Sequence, residues 1–158
     1  MIGVAALMIS SKILSGQEPD PCRKILEDTL TNYQMTLLSY EILPDQREVI
    51  VQRLQALCET RRSPVVLTLG GTGVRPTDWV PEATRDVIEK EIPGIAEAMR
   101  AESLKKVRTA MLSRGIAGIK DKTVIINLPG SAKGVKENCE IVFPLIDHLV
   151  QKMGHMVN

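Results

Sequence analysis

The sequence predicts an α/β domain built on a mostly parallel central sheet, and three observations carry that expectation. Apolar runs at 2–9, 35–42, 65–69 and 123–128 have extended character, and stretches of helical period alternate with extended ones along the chain, the pattern of parallel-sheet domains. Two of the runs break off into glycine turns, Gly70-Gly71-Thr72-Gly73 and Pro129-Gly130-Ser131. A chain of 158 residues is long enough to bury one full core and too short for two ordinary ones, so residues 1–158 are expected to form a single domain.

The run 2–9 reads as a buried first strand. It is far too short to span a bilayer, has no basic flank before it, and is not followed by a small-residue cleavage pattern. After the strand 35–42, residues 45–59 carry an apolar face of Val49, Val51, Leu54, Leu57 and Cys58. Asp45 and Glu48 stand at the spacing of a capping box, which suggests a crossover helix. A further helix is expected from Pro81, a residue tolerated at the first helical position. Glu82 follows at the positive end of the dipole, and the stop is expected near Ile92, ahead of Pro93 and Gly94. Residues 95–106 read as the next helix, 117–128 as a hairpin turning at Lys120, Asp121 and Lys122, and 135–153 as a helical stretch that Pro144 divides or kinks.

Composition excludes several classes of function. Hydrophobic residues make up 44% and charged residues 25%, near the soluble average, which argues against disorder and against a membrane protein. The formal net charge is +1 with cations scattered among acids, unlike a nucleic-acid binder, so any anionic ligand must be held locally. Cys22, Cys58 and Cys139 lack paired spacing and read as small core residues. His148 and His155 have no zinc-like partners, and no transition metal is expected on the protein itself. The reducing cytoplasm is the expected compartment.

The chemistry is expected at the glycine turns. Glycines after a strand let backbone N–H groups approach a ligand closely, and such nests suit phosphates. Neither a Walker loop nor a Rossmann fingerprint is present, because no Gly-Lys-Ser/Thr follows the glycines and position 76 is Pro. Asp78, five residues beyond Gly73, and Asp45, after the preceding strand, are expected to face one crevice as Mg²⁺ ligands. The hard cation takes one or two carboxylates plus phosphate oxygens. From local sequence alone, Asp45 reads first as a helix N-cap, and Asp78 reads equally as a structural loop residue. The turn Asn127-Leu128-Pro129-Gly130-Ser131 precedes a helix with Lys133 and Lys136, a second anion site in which Ser131 also caps the helix. Ser113 and Arg114 form a third polar point.

Thr68, Leu69, Gly70, Gly71, Thr72 and Gly73, with Pro76, Asp78, Pro81, Glu82, Ala83 and Thr84 behind them, resemble the signature of the molybdopterin adenylyltransferases and the related gephyrin G domain. Glu102 to Lys105, Ala110 to Arg114 and Ile125 to Ser131 continue the resemblance in order and spacing. It covers about residues 42–150. It implies a three-layer α/β/α fold, usually a homotrimer, that binds molybdopterin and Mg-ATP and makes adenylylated molybdopterin plus pyrophosphate, with possible hand-over to a molybdenum-insertion protein. Carried over by position, Gly70, Gly71, Thr72, Gly73 and Asp78 line the pocket and Asp45 joins Asp78 as an essential acid. Pro81 and Glu82 belong to the binding loop, Ser113 contacts the pterin, and Pro129, Gly130 and Ser131 complete the nucleotide side.

The amino end departs from the family pattern. Relatives commonly carry Ser-Asp after the first strand, whereas this chain has Ser10-Ser11, leaving Glu18 and Asp20 as candidate replacements for the missing acid. Val80 stands where a Thr usually precedes Pro-Glu. A trimer that binds molybdopterin without chemistry, and a nucleotide pyrophosphate hydrolase of the competence-damage-inducible type, are the alternatives.

Overall fold

Strands that read as unbroken apolar runs must be covered on both faces, and the architecture follows from that need. The computed structural model describes residues 1–155. In chain order it consists of β1 (Ile2–Ile9), α1 (Ser11–Leu14), α2 (Arg23–Asn32), β2 (Met35–Leu43), α3 (Arg47–Thr60), β3 (Val65–Leu69), α4 (Val80–Val87), β4 (Lys90–Glu91) and α5 (Pro93–Leu104). A 3₁₀ turn (Arg108–Leu112), β5 (Ala117–Lys120), β6 (Thr123–Leu128), α6 (Ala132–Val142), a second 3₁₀ turn (Phe143–Leu145) and α7 (Ile146–Lys152) complete it.

The sheet has six strands in the order β2-β1-β3-β6-β5-β4. The four strands β2, β1, β3 and β6 run parallel, while β5 pairs antiparallel with β6 and β4 antiparallel with β5. Successive side chains of a strand point to opposite faces. Val4, Ala6 and Met8 of β1 therefore join one core with Leu26 and Leu30 of α2, Met99 of α5, Val135 and Cys139 of α6 and Ile146 of α7. Ala5, Leu7 and Ile9 join the other core with Ile50, Leu54 and Cys58 of α3 and Val80, Ala83 and Val87 of α4. The result is the three-layer α/β/α arrangement.

Three expectations from the sequence need correction, and one helix is unanticipated. The helix from Pro81 ends at Val87, well short of Ile92, because Ile88 turns extended. The Glu89 N–H then donates to the Ile119 carbonyl and the Ile92 N–H to that of Ala117, so 89–92 lies along β5 as an edge strand. Helix α3 starts at Arg47 with Gln46 at its N-cap position and no side-chain cap, so Asp45 does not cap it. Helix α5 stops at Leu104 and a separate 3₁₀ turn follows. Helix α2 has no counterpart among the sequence expectations: it is polar outside and buries only Leu26, Thr29 and Leu30. The division at Pro144 is as expected, with the 3₁₀ turn Phe143–Leu145 separating α6 from α7.

The chain passes from β1 to β2 on one side and later to β3 on the other, so its progress reverses at β1. In open α/β sheets the crevice beyond the carboxyl ends of strands at such a reversal is where ligands bind. One buried polar residue braces the neighbouring end of β6. Asn127 donates from Nδ2 to the hydroxyls of Thr68 (2.9 Å) and Thr84 (3.0 Å), and its Oδ1 accepts the Ile116 N–H (3.1 Å). These bonds run to β3, α4 and the segment before β5, and they lock the relative positions of all three.

Candidate functional site

The two glycine bends meet at the β1/β3 reversal. The Gly70 N–H donates to the Leu128 carbonyl at 3.0 Å, which ties the end of β3 to the end of β6. Gly70 has φ +91°, in the left-handed region, and a Cβ there would stand 2.9 Å from the Ile9 carbonyl oxygen and 3.8 Å from the Gly130 Cα. Only glycine lets three strand ends approach this closely while turning that way. On the far side, Val80 is buried against Gly71, where an added Cβ would meet its Cγ2 at 2.5 Å. Trp79 holds the N-cap position without a side-chain cap, so Val80 serves the bend by packing.

Beside the bends lies a cavity of about 480 Å³, within the usual range for small-molecule sites. Of the residues expected from sequence, Thr72, Gly73, Ser113, Pro129, Ser131 and Lys133 line it. Ser131 also caps α6 through its hydroxyl, which accepts the Gly134 N–H at 3.1 Å, so the two readings of that residue coexist. Arg75 and Arg100 line the cavity too, so the lining holds three cations with Lys133 and one acid, Glu137. A locally cationic hollow in a chain of net charge +1 suits an anionic ligand. Arg100 and Arg75 are not distinguished by the sequence pattern. Arg100 sits on α5 and its Nη1 holds the Gly115 carbonyl at 2.8 Å, a contact between segments that local pattern does not disclose.

The remaining expected residues lie outside the cavity lining. Asp45 follows β2 and Asp78 follows β3, on the same edge of the sheet but with β1 between those strands. Asp45 is bracketed with Ser11: the Ser11 N–H donates to Asp45 Oδ2 (3.0 Å) and the Asp45 N–H to Ser11 Oγ (2.9 Å). Asp78 Oδ2 accepts the Arg75 N–H at 2.9 Å, and it stands 2.9 Å from where a Cβ on Gly73 would be. Gly70, Gly71 and Gly130 form the backbone junction already described. Pro81 is buried at the start of α4, and Glu82 pairs with Arg114. The Arg114 guanidinium beside Glu82 holds its carboxyl below the usual carboxylate range. Among the described residues no group of three or more His, Cys, Asp or Glu comes together.

The first loop settles the fate of the substitute acids. Asp20 accepts the Tyr40 hydroxyl (2.6 Å) and the Cys22 N–H (2.8 Å), and Glu18 is exposed, 3.9 Å from Lys12. Neither takes the place beside Asp45, which Ser11 occupies.

A profile of the family described as a probable molybdopterin binding domain matches residues 5–148. The chain belongs to this family. It is 41% identical over 151 residues to the molybdopterin adenylyltransferase of Helicobacter pylori, covering 94% of this chain and 86% of that protein. The solved structure of the molybdopterin biosynthesis enzyme MoaB of Thermus thermophilus superposes with a TM-score of 0.91 at 37% identity, covering 97% of this molybdopterin-binding domain and 96% of that chain. The protein CinA of Thermoplasma acidophilum, at 16% identity and a TM-score of 0.67, shares the fold alone.

In this member of the molybdopterin-binding family the three thiols are free and buried. Cys22 Sγ donates to the Gly130 carbonyl at 3.4 Å, beneath the second bend, and burial pushes its pKa up to about 11. Burial raises Cys58 to about 11 as well and lifts Cys139 further. Because the thiolate is the reactive form, iodoacetamide at pH 8 is expected to label none of them until the protein unfolds. Mass spectrometry over a denaturant series checks this. Rapid labelling of Cys22 in the folded protein would mean that the second bend opens.

No helix of the described residues is long and apolar enough to cross a membrane.

Proposed function

We propose that this chain is a molybdopterin adenylyltransferase, which moves the AMP part of ATP onto the phosphate of molybdopterin and releases pyrophosphate. The observation that carries this reading is the junction of two glycine bends beside a cationic cavity, in a chain 41% identical to an enzyme of that name. Two substrates need two places. The cavity, with Ser113 and Lys133, suits the pterin and its phosphate. The open edge beyond β1 to β3, with Asp45 and Asp78, suits Mg-ATP.

The amides of Gly71 to Gly73 and the amino end of α6 supply fixed dipoles where charge develops on the transferring phosphoryl group. Each well-aimed donor of this kind contributes roughly 3 kcal/mol to the transition state. The pterin phosphate attacks the α-phosphorus and pyrophosphate leaves on the opposite side, so the chain's task is to hold both groups in line and exclude water. Asp45 and Asp78 each commit one carboxylate oxygen to a backbone N–H, and the other is a hard oxygen donor. Separate carboxylates fit Mg²⁺, which keeps phosphate oxygens and water in its shell, better than a three-residue cage would. Entering with ATP, the ion supplies charge neutralisation on the phosphates.

In this reading the whole chain, residues 1–158, is one domain, three copies form a homotrimer in the cytoplasm, and the product passes to a molybdenum-inserting protein. Mixing the purified protein with molybdopterin, ATP and Mg²⁺ is expected to release pyrophosphate in step with adenylylated pterin. Tight pterin binding without ATP consumption would make the chain a carrier and overturn the reading.

A further inference from the structure

Arg114 is the most heavily engaged side chain around the first bend, and no ligand role is needed to explain it. Its backbone N–H donates to the Thr72 carbonyl at 2.7 Å. From its guanidinium, Nε donates to the Gly73 carbonyl (2.7 Å), Nη2 to the Asp78 carbonyl (3.0 Å), and Nη1 to the Glu82 carboxylate. One residue from the far side of α5 thus grips the loop at its start, at its end and on the first turn of α4. Glu82 turns one oxygen to Arg114 while the other is buried with no protein partner, so the carboxylate is spent on holding the guanidinium.

The peptide plane gives this grip a consequence. In a trans peptide the N–H points opposite to the C=O of the same unit. Drawing the carbonyls of Thr72, Gly73 and Asp78 toward Arg114 therefore turns the N–H groups of Gly73, Val74 and Trp79 away from it. Thr72 and Gly73 both line the cavity. A nest works only if its amides are aimed before the phosphate arrives, since reorganising them during the reaction forfeits their advantage. The cation also stands behind the carbonyls, partnered by Glu82, where it adds no competing anion site.

We infer that Arg114 is a positioning residue for adenylyl transfer, one that pre-aims the first glycine bend and the Asp78 segment by holding three of their carbonyls. The inference rests on the adenylyltransferase reading above. A lysine cannot replace it, because a single ammonium lacks the planar fork that reaches separate carbonyls and a carboxylate at once.

The test compares Arg114→Lys and Glu82→Gln with the wild-type protein, measuring pyrophosphate release, pterin binding by fluorescence, and thermal unfolding. For Arg114→Lys, kcat is expected to fall about 100-fold, as misplacement of about an ångström can cost. Pterin affinity is expected to stay within about twofold and the protein to remain folded at the assay temperature. Glu82→Gln keeps an oxygen acceptor but removes the charge that anchors the guanidinium, and it is expected to lower kcat by less than Arg114→Lys does. Arg114→Ala adds a rescue arm, in which millimolar guanidinium restores part of the lost rate. Unchanged kcat in Arg114→Lys overturns the inference. So does a loss that follows pterin affinity and folded fraction together, which is what a purely structural residue gives. A wild-type protein that never releases pyrophosphate instead defeats the adenylyltransferase reading, and the control separates the two failures.

Discussion

Gly70→Ala is expected to abolish adenylyl transfer and to destabilise the fold by about 3 kcal/mol, the sum of a strained left-handed residue and a steric clash. The methyl group would stand 2.9 Å from the Ile9 carbonyl oxygen, and that oxygen belongs to the backbone of a buried central strand. It cannot move aside as a flexible side chain would. Relief requires β3 to part from β1 or the bend to change shape, and either movement separates Gly70 from Gly130. The amides of both bends then lose their common target. A contrast variant, Gly94→Ala, places its methyl group at a position where a Cβ meets nothing within 4 Å, so stability and turnover are expected to stay near wild type. Chemical denaturation and pyrophosphate release, measured on both variants, check the pair. Full activity in Gly70→Ala would mean that the bends need not touch.

The reason this junction could be anticipated at all is that its parts are locally encoded. Strands 2–9, 65–69 and 123–128 are buried on both faces, and such runs of Val, Ile and Leu announce themselves without any knowledge of neighbours. Glycine and proline after a strand announce a bend in the same way. What escaped reading depends on residues distant in sequence. Strand β4 is two exposed residues whose only strand character comes from β5. Arg114 meets Gly73 across 41 positions and Asp78 across 36, and nothing in the local pattern distinguishes it from an ordinary loop arginine. Asp45 shows the opposite error. Its spacing to Glu48 satisfied a helix-capping rule, yet the carboxylate turns to Ser11, because the end of β1 lies beside the end of β2 and offers an unpaired N–H. Tertiary context overrode a local preference worth only about 1 kcal/mol.

That same dependence on context makes Asp78→Asn the most informative change to the chemistry. The side chain has two duties that can be separated. Its Oδ2 accepts the Arg75 N–H and shapes the loop, and in the proposed reaction its negative charge serves Mg-ATP. Asparagine keeps an oxygen acceptor of the same size for the Arg75 amide, and the Asp78 main-chain carbonyl that Arg114 holds is untouched by the substitution. The loop is therefore expected to keep its shape, with pterin affinity within about twofold of wild type, while kcat falls by about 100-fold or more as a charge-stabilising group is lost. Asp78→Ala removes the acceptor as well, and there pterin affinity is expected to fall together with turnover. Titrating Mg²⁺ against each variant sharpens the comparison, since a carboxylate that receives the ion with ATP raises the Mg²⁺ requirement when it is neutralised. Equal turnover in wild type and Asp78→Asn would strip the acid of its chemical role and leave it as a loop brace. Parallel loss of turnover and pterin affinity in Asp78→Asn would also reduce the acid to a brace, because only a collapsed loop disables both.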